Sequence, residues 1–248
     1  MHTDVATANV LDRLPHADAR AALHAVLGRG PDLVGLQEWR LSRLGLLAET
    51  GAVGWPGRPV GRSGDYVWVF PQWWSECPVG FRADRYELLE RTAHRLAWFG
   101  PADLGSRRPP VLPARSVTVV RLRDLWLDAR VCVVDHHLTP GVQQRGEYRA
   151  DRPLLVARHR LEVQRLERVI ARELALGQVV YAVGDSNFEG QQLAGLRSAW
   201  EGRDSHPGTL WRRKIDDVHG PTVASRVDLV RTPSDHAAVI ARFDAGSS

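Results

Sequence analysis

The sequence predicts an α/β protein, because short apolar runs that fit buried strands alternate with segments that have the periodicity of amphipathic helices. Several of these runs are continuous over four to seven residues, which is typical of strands buried on both faces. The 248 residues are 44% hydrophobic and 25% charged, as in ordinary globular proteins. No internal repeat or long linker divides the chain, so we expect a single domain spanning residues 1–248.

Seven segments are predicted as strands from their apolar content and their length. In chain order they are residues 5–11, 33–37, 66–70, 117–122, 131–134, 179–183 and 237–243.

Two segments are predicted as helices. Residues 18–27 lie between the first two strands, have apolar side chains spaced three and four apart, and end at Gly28. Residues 153–176 show the same spacing over a longer stretch, with arginine and glutamate on the remaining surface, and Gly177 follows. The first helix and its neighbours therefore form a strand, helix, strand unit.

The charge is mildly basic and almost entirely due to arginine. Lys and Arg number 33 against 29 Asp and Glu, which gives a net charge of +4 and a pI of about 9.6, and Lys214 is the single lysine. A basic protein is attracted to polyanions, and the planar guanidinium group binds phosphate oxygens two at a time. GC-rich coding would produce the same arginine bias, so the charge favours a polyanionic partner without establishing one.

The two cysteines, Cys77 and Cys132, match neither a disulfide framework nor a metal-binding motif, so we predict free thiols. The sequence has no basic region followed by a long apolar run, and no run of roughly 20 apolar residues. We therefore expect a cytoplasmic monomer without a transmembrane segment, although a secreted protein with its leader removed would have a similar sequence.

Candidate catalytic or metal-binding residues follow a buried strand in the motif Gly184-Asp185-Ser186-Asn187. A carboxylate and a carboxamide two residues apart point to the same side of a strand, where one can bind metal or accept a proton and the other can orient oxygen. The alternative is a simple turn, which is the more common use of Asp and Asn at a strand end.

Two more acidic residues occupy comparable positions. Glu38 stands at the end of the strand at residues 33–37, and hard cations such as Mg²⁺ take carboxylate ligands. Ser234-Asp235-His236 enters the last strand, and this histidine is a candidate general acid or phosphate ligand. Taken singly, Glu38 is more often a solvent-facing residue, and Asp235 with His236 is more often a hydrogen-bonded surface pair.

Two further segments place histidine or aspartate beside apolar residues. Asp135, His136 and His137 follow the apolar run at residues 131–134, and strand alternation puts Asp135 and His137 on one face and His136 on the other. Asp216 lies in the sequence Lys214-Ile215-Asp216, before the last strand.

The order of these motifs is more specific than any one of them. Together they resemble the successive motifs of the endonuclease/exonuclease/phosphatase superfamily, which has a deoxyribonuclease I-like fold. The matching segments are Asn9 in Thr7-Ala8-Asn9-Val10-Leu11, Leu36-Gln37-Glu38, His137-Leu138, Gly184-Asp185-Ser186-Asn187, Lys214-Ile215-Asp216 and Ser234-Asp235-His236. They extend over almost the whole chain.

The resemblance implies a four-layer sandwich of two packed mixed β-sheets flanked by helices, with the site at one rim. It also implies hydrolysis of phosphoric esters by water attack, with Mg²⁺ as cofactor and Mn²⁺ as the alternative. By similarity, the metal site comprises Asn9, Glu38 and Asp235, and the catalytic group comprises His137, Asp185, Asn187, Asp216 and His236. We assign Arg115 and His136 to substrate binding. His94, His159 and Asp204 lie outside the motifs and are expected at the surface.

Three departures from the superfamily pattern stand out. Asp135 replaces an asparagine that often precedes the histidine by two positions, and would add negative charge near a phosphate. Ser186 replaces the usual aromatic residue, with Phe188 displaced beyond it, which we interpret as a packing change. Asp228, in Arg226-Val227-Asp228-Leu229, competes with Asp216 as the partner of the histidine.

A nucleic acid, DNA or RNA, is the expected substrate, since arginines bind phosphates and aromatic rings stack on bases. The candidate contact residues are Trp55, Arg58, Arg62, Trp73 and Trp74. Glu38 is followed by Trp39 and Arg40, which differs from the exonuclease III-like repair branch. A small phosphorylated metabolite, a lipid headgroup, or a binding role with little catalysis are the alternatives.

Overall fold

The computed structural model describes residues 1–54, 64–72, 75–103, 111–204 and 207–245. The helices are α1 (His16–Leu27), α2 (Leu44–Ala48) and α3 (Pro153–Ala175). The strands are β1 (His2–Asn9), β2 (Leu33–Gln37), β3 (Gly51–Gly54), β4 (Tyr66–Val69), β5 (Val79–Arg82), β6 (Tyr86–Ala97), β7 (Gly100–Pro101), β8 (Val111–Leu112), β9 (Arg115–Asp124), β10 (Ala129–His137), β11 (Gln143–Gln144), β12 (Glu147–Tyr148), β13 (Val179–Asp185), β14 (Arg197–Ser198), β15 (Asp216–Gly220), β16 (Arg226–Val230) and β17 (Ala238–Asp244).

Two large mixed sheets form the centre of the protein. The first has seven strands in the order β16-β17-β1-β2-β5-β4-β3, and the second has six in the order β14-β15-β13-β10-β9-β6. The pairs β1/β2 and β3/β4 in the first sheet and β10/β13 in the second are parallel, and the other pairs are antiparallel. Both sheets are therefore mixed, as expected.

Strand alternation divides the apolar side chains into three layers. Val133 and Val183 belong to the core between the two sheets. Leu23 of α1 packs with the outer face of the seven-stranded sheet, whereas Leu166 and Ile170 of α3 pack with the outer face of the six-stranded sheet. The order helix, sheet, sheet, helix confirms the four-layer sandwich.

The seven predicted strands and both predicted helices are present, with ends that shift by a few residues. The strands that the sequence did not reveal include β6 and β15, which carry many polar residues. Among the strands in the described ranges, β6 lies at the edge of its sheet, and edge strands carry more polar and charged side chains than central ones. β15 contains two aspartates and a histidine, so it lacks the apolar run of a buried strand.

A buried arginine links the two sheets at the end of the sandwich where β1 begins. Arg85 donates to Asp124 Oδ2 from Nε and Nη2 at 3.0 and 2.7 Å, and its Nη1 lies 2.9 Å from Asp32 Oδ2. It also donates to Thr3 Oγ1 and to the His2 carbonyl oxygen. This guanidinium therefore stabilises the contact between the sheets.

Replacing Arg85 with alanine should lower the free energy of unfolding by about 3–5 kcal/mol, because it leaves two buried carboxylates without their counter-charge. Denaturant titration measures this loss. The matched control is Arg123→Ala, since Arg123 pairs with Asp128 on the surface, and that variant should lose no more than about 1 kcal/mol. Equal losses in the two variants would contradict a structural role for the buried network.

Both cysteines, Cys77 and Cys132, are buried and free, as predicted. Within the described parts of the chain, no helix combines the length and the apolar character needed to cross a membrane.

Candidate active site

The polar motifs converge at one rim of the sandwich because they end strands of the two facing sheets. Asn9, His137 and Asp185 are the last residues of β1, β10 and β13, and Asp216 is the first residue of β15. In the six-stranded sheet His137 is opposite Asp185, and Asp185 is opposite Asp216. All four are buried. Strand register therefore assembles residues that are far apart in the sequence.

Three of the predicted residues are in direct contact. Asn9 Nδ2 donates to Asp185 Oδ2 at 3.0 Å and lies 3.3 Å from Glu38 Oε1. Among the described residues, Asn9 Oδ1 is buried and has no hydrogen-bond partner. This group brings together a carboxamide and two carboxylates from the two sheets.

The backbone holds Glu38 in an uncommon conformation. Its φ of +58° lies in the left-handed region, which non-glycine residues rarely adopt and which is frequent at functional sites. The Asp12 amide donates to Glu38 Oε2 at 2.9 Å. Arg43 supports this loop, because its buried guanidinium donates to four carbonyl oxygens, including those of Val10 and Leu14. Sequence reasoning did not identify Arg43.

The segment after β13 is also tightly constrained. Asn187 has a φ of +50°, and its amide donates to Asp185 Oδ1 at 2.7 Å. Its side-chain Nδ2 donates to the Leu138 carbonyl oxygen at 3.0 Å, and Gln143 Nε2 donates to the Asn187 carbonyl oxygen at 3.2 Å. Several hydrogen bonds thus fix the position of Asn187 relative to Asp185.

His236 forms a buried pair with Asp216, at 2.8 Å between His236 Nδ1 and Asp216 Oδ2. Burial alone would lower the pKa of His236, but the charge and hydrogen bond of Asp216, with Asp185 and Asp235, outweigh it and raise the pKa to about 9. The imidazole is therefore protonated at neutral pH. Asp228, the competing partner, instead pairs with Arg226 on an exposed part of β16.

Beside this pair, His137 faces an ion pair that includes a residue the sequence did not indicate. Arg115 pairs with Glu76, and His137 Nδ1 lies 3.2 Å from both Arg115 Nη1 and Glu76 Oε1. His137 Nε2 is 3.9 Å from Glu38 Oε1 and from Asp185 Oδ2. Glu76 lies outside the superfamily motifs used above, and only the fold brings it to the site.

The titration of His137 and Asp185 follows from their burial. Desolvation, reinforced by Arg115, lowers the pKa of His137 to about 4, so this ring is neutral near pH 7. Desolvation, followed by the charge of Asp216, raises the pKa of Asp185. A carboxylate with a raised pKa is a better proton acceptor near neutral pH than an ordinary aspartate.

The rim contains suitable ligands for a divalent cation. Asp185, Asp216 and His236 offer ligand atoms that all lie within 4.8 Å of one another. His236 would have to release its proton to become a ligand, so within this trio the two carboxylates suit a cation and the imidazolium suits an anion. The oxygens of Asn9, Glu38 and Asp185 fit a hard cation, and the unpartnered Asn9 Oδ1 is a further candidate ligand.

Two predicted site residues lie apart from this group. His136 is 1% exposed and lies on the opposite face of β10 from His137, with its Nε2 at 3.3 Å from Ser186 Oγ. Asp235 is exposed and accepts a hydrogen bond from Ser234 Oγ at 3.5 Å. The structure does not bring His136 to the rim. Asp235 contributes to the site through its negative charge, which helps to raise the pKa of His236.

The burial of His136 predicts an acid-sensitive stability. Desolvation lowers its pKa to about 3, so between about pH 6.5 and 3 the unfolded chain binds a proton that the folded protein does not. Stability is therefore complete above this window and is lost as the pH falls through it. Below about pH 6, the free energy of unfolding of His136→Gln should fall less steeply than that of the wild type, by about 1 kcal/mol per pH unit.

Urea titrations at several pH values between 7.5 and 5 test this difference. His16→Gln is the matched control, because His16 is exposed and its replacement should leave the pH dependence unchanged. Parallel curves for His136→Gln and the wild type would contradict the assignment of a buried neutral imidazole.

The structure corrects the expectation for Asp135. Its side chain is fully buried, and Gln37 Nε2 donates to its Oδ1 at 2.6 Å. Desolvation raises the pKa of Asp135 well above its usual range, which favours the neutral acid, so the added charge expected near the phosphate is disfavoured.

The packing of Phe188 agrees with the expectation from the sequence, whereas the position of His159 does not. Phe188 packs on Tyr148 with 4.4 Å between ring centroids, consistent with a packing change around Ser186. The prediction that His159 lies at the surface is wrong. His159 is 0% exposed, and its Nε2 contacts the Ser186 carbonyl oxygen at 2.8 Å, because α3 packs directly over this segment.

The loop residues proposed for nucleic-acid contact lie outside the described part of the chain. They are Trp55, Arg58, Arg62, Trp73 and Trp74.

Comparisons with known proteins identify the fold. No protein-family model matches the sequence, and no curated protein sequence matches it. Among solved structures, D. rerio TDP2 complexed with single strand DNA product has a TM-score of 0.65 at 16% identity, covering 98% of this chain and 99% of that chain. A mannosyl-6-phosphatase from Bacteroides thetaiotaomicron has a TM-score of 0.65 at 16% identity, covering 96% and 98%.

A third solved structure is an endonuclease/exonuclease/phosphatase family protein, also from Bacteroides thetaiotaomicron. It has a TM-score of 0.63 at 16% identity, and the match covers 99% of this chain and 99% of that chain. The recognition made from the motifs is confirmed at the level of the fold. This chain has the fold of the endonuclease/exonuclease/phosphatase superfamily.

Proposed function

We propose that this protein is a divalent-metal-dependent phosphoric ester hydrolase that cleaves phosphodiester bonds of DNA or RNA. The observation that carries the proposal is the convergence at one rim of an oxygen-rich group, Asn9, Glu38 and Asp185, with the buried Asp216–His236 pair. The first group suits a hard cation and the second suits an anion, and a phosphoric ester with a bound cation needs both.

His236 is placed to hold the phosphate. Because its Nδ1 is bound to Asp216, the ring has a fixed orientation, and its positive charge stabilises the negative charge that develops on the phosphoryl oxygens. Its Nδ1 is 4.0 Å from Asp185 Oδ2, so a phosphate at His236 also lies near Asp185.

Asp185 is placed to orient water and accept its proton for an in-line attack on phosphorus. Hydrogen bonds from the amides of Asn9 and Asn187 fix its two oxygens. When bound by Asn9 and Glu38, Mg²⁺ or Mn²⁺ would supply Lewis-acid neutralisation of the charge on the phosphate oxygens. Neutral His137, near Glu38 and Asp185, is available to donate a hydrogen bond or move a proton, and Arg115 is a further cation beside it.

Several observations favour a polynucleotide. The chain is basic, with a pI of about 9.6, and its positive charge comes almost entirely from arginine. One structure with the same fold, D. rerio TDP2, contains a single strand DNA product. A second candidate function is hydrolysis of a small phosphoric ester, and the mannosyl-6-phosphatase with this fold favours it.

A hydrolysis panel tests the proposal. Plasmid DNA, single-stranded DNA, RNA, a small phosphodiester and a phosphomonoester are incubated with Mg²⁺, Mn²⁺ or a chelator. We expect cleavage of at least one polynucleotide that chelation abolishes and added Mg²⁺ or Mn²⁺ restores. Turnover of the phosphomonoester alone would support the second candidate, and turnover of none of these compounds would contradict both and favour a binding role.

Several expectations from the sequence stay predictions. They are the assignment of Asp235 to the metal site, the assignment of Arg115 and His136 to substrate binding, the single-domain organisation, the monomeric state and cytoplasmic residence.

A further inference from the structure

A cavity of about 430 Å³ lies next to His236. Its lining includes Thr209, Trp211, Leu229, Arg231, Thr232 and Asp235. This volume and the mixture of apolar and polar lining are typical of small-molecule sites. Because His236 is placed to hold the phosphate under the proposed function, a group esterified to that phosphate would have this cavity beside it.

Trp211 is unusual in both its exposure and its backbone. The side chain is 79% exposed, so it contributes little to the core. Its φ of +54° lies in the left-handed region, which is unfavourable for a large side chain and which glycine or asparagine adopts more easily. The two-residue turn between Leu210 and Arg213 accounts for this φ, and it leaves the indole exposed in the lining of the cavity instead of in the core.

The turn that carries Trp211 is anchored to the segment that carries His236. The backbone amides of Leu210 and Arg213 each donate to the other's carbonyl oxygen, at 3.1 and 3.0 Å. The Ala237 amide donates to the Thr209 carbonyl oxygen at 2.8 Å. The Arg213 guanidinium lies over the indole, 5.4 Å from the ring centroid. The backbone at Trp211 is therefore held at a fixed position relative to His236.

The chemistry of the cavity selects a particular kind of group. An exposed indole offers a flat surface on which aromatic rings stack. Arg231 is exposed in the same lining, and its guanidinium can bind a phosphate or stack on a ring. A nucleotide combines the flat ring and the phosphate that these residues recognise.

We propose that this cavity is a subsite for the nucleoside attached to the scissile phosphate, with its base stacked on Trp211. The inference rests on the proposed function and extends it, since it names a nucleotide rather than a sugar phosphate as the group bound beside His236.

Binding is measured by calorimetry with Mg²⁺, using full-length protein carrying Asp185→Asn to prevent turnover. The ligands are adenosine 5′-monophosphate and ribose 5-phosphate, which differ by the base. We expect adenosine 5′-monophosphate to bind about tenfold more tightly or better, in line with base stacking on an aromatic side chain. Adding Trp211→Ala should abolish this difference, and adding Trp211→Phe should retain most of it.

The matched control is Trp98→Ala. Trp98 is 68% exposed and also has an arginine, Arg95, over its ring at 4.1 Å, but it does not line this cavity. That variant should keep the preference for adenosine 5′-monophosphate. Equal affinity for the two ligands, absence of binding by both, or a preference that survives Trp211→Ala would overturn the proposal.

Failure of the proposed function has a different signature. If the wild type cleaves no phosphoric ester but still prefers adenosine 5′-monophosphate through Trp211, the subsite stands and the hydrolase assignment falls. Cleavage of polynucleotide without that preference would refute the subsite alone.

Discussion

Asp185→Asn should lower kcat for polynucleotide hydrolysis by about 10²–10⁴-fold while the protein stays folded. The substitution preserves the size and shape of the side chain but removes the carboxylate that would orient water and accept its proton. Burial and the charge of Asp216 raise the pKa of Asp185, so the charged form is unfavourable in the folded protein. The loss of one of the two oxygens that accept from Asn9 and Asn187 opposes this effect, so the melting temperature should change little while kcat falls by orders of magnitude.

Initial rates under saturating substrate and Mg²⁺, together with a thermal melt, test this expectation. Asp217→Asn is the matched control, because Asp217 is also buried and its pKa is also raised by desolvation, but it points to the other face of β15 and contacts Ser198. This control should change kcat only a few-fold. A variant at Asp185 with near-normal kcat would remove that residue from the mechanism.

Asp216→Asn and His236→Gln should each lower kcat/KM by about 10²–10³-fold, and the double variant should be no worse than His236→Gln alone. Asp216 acts by orienting His236 and by keeping it protonated, through the 2.8 Å contact with Nδ1. Once the imidazole is gone, the carboxylate has nothing left to orient. Steady-state kinetics of the two single variants and the double variant give the coupling between them.

Asp228→Asn is the control for this pair, because Asp228 was the competing partner in the sequence and pairs with Arg226 in the structure. Its kcat/KM should equal that of the wild type. Independent, multiplicative losses at Asp216 and His236 would show that they do not act as a unit.

Much of the fold could be predicted from the sequence, because the central strands are continuous apolar runs. The runs that become β10 and β13 are buried on both faces, so their composition alone indicates their place in the layers. The edge strand β6 could not be found in this way. Among the described residues, no strand pairs with one of its edges, and its polar side chains do not show the periodicity of a buried strand.

The candidate site was predicted in part for a related reason. Asn9, Asp185 and His137 each end an apolar strand, and their order matched a known series of motifs. Glu76 and Arg43 have no such marker. Glu76 lies in an irregular segment before β5, and Arg43 acts through carbonyl oxygens that any residue type provides.

The sequence by itself determined the layered α/β architecture, the strand ends that carry polar groups and the oxygen-rich chemistry of the site. Only the tertiary structure decided that Asp216 rather than Asp228 holds His236, that His136 lies away from the rim, and that Trp211 lines a cavity beside His236. The physical reason is that apolar patterning and local geometry depend on near neighbours in the chain. Contacts between the sheets depend on register and on the packing of loops, which are settled only when the two sheets come together.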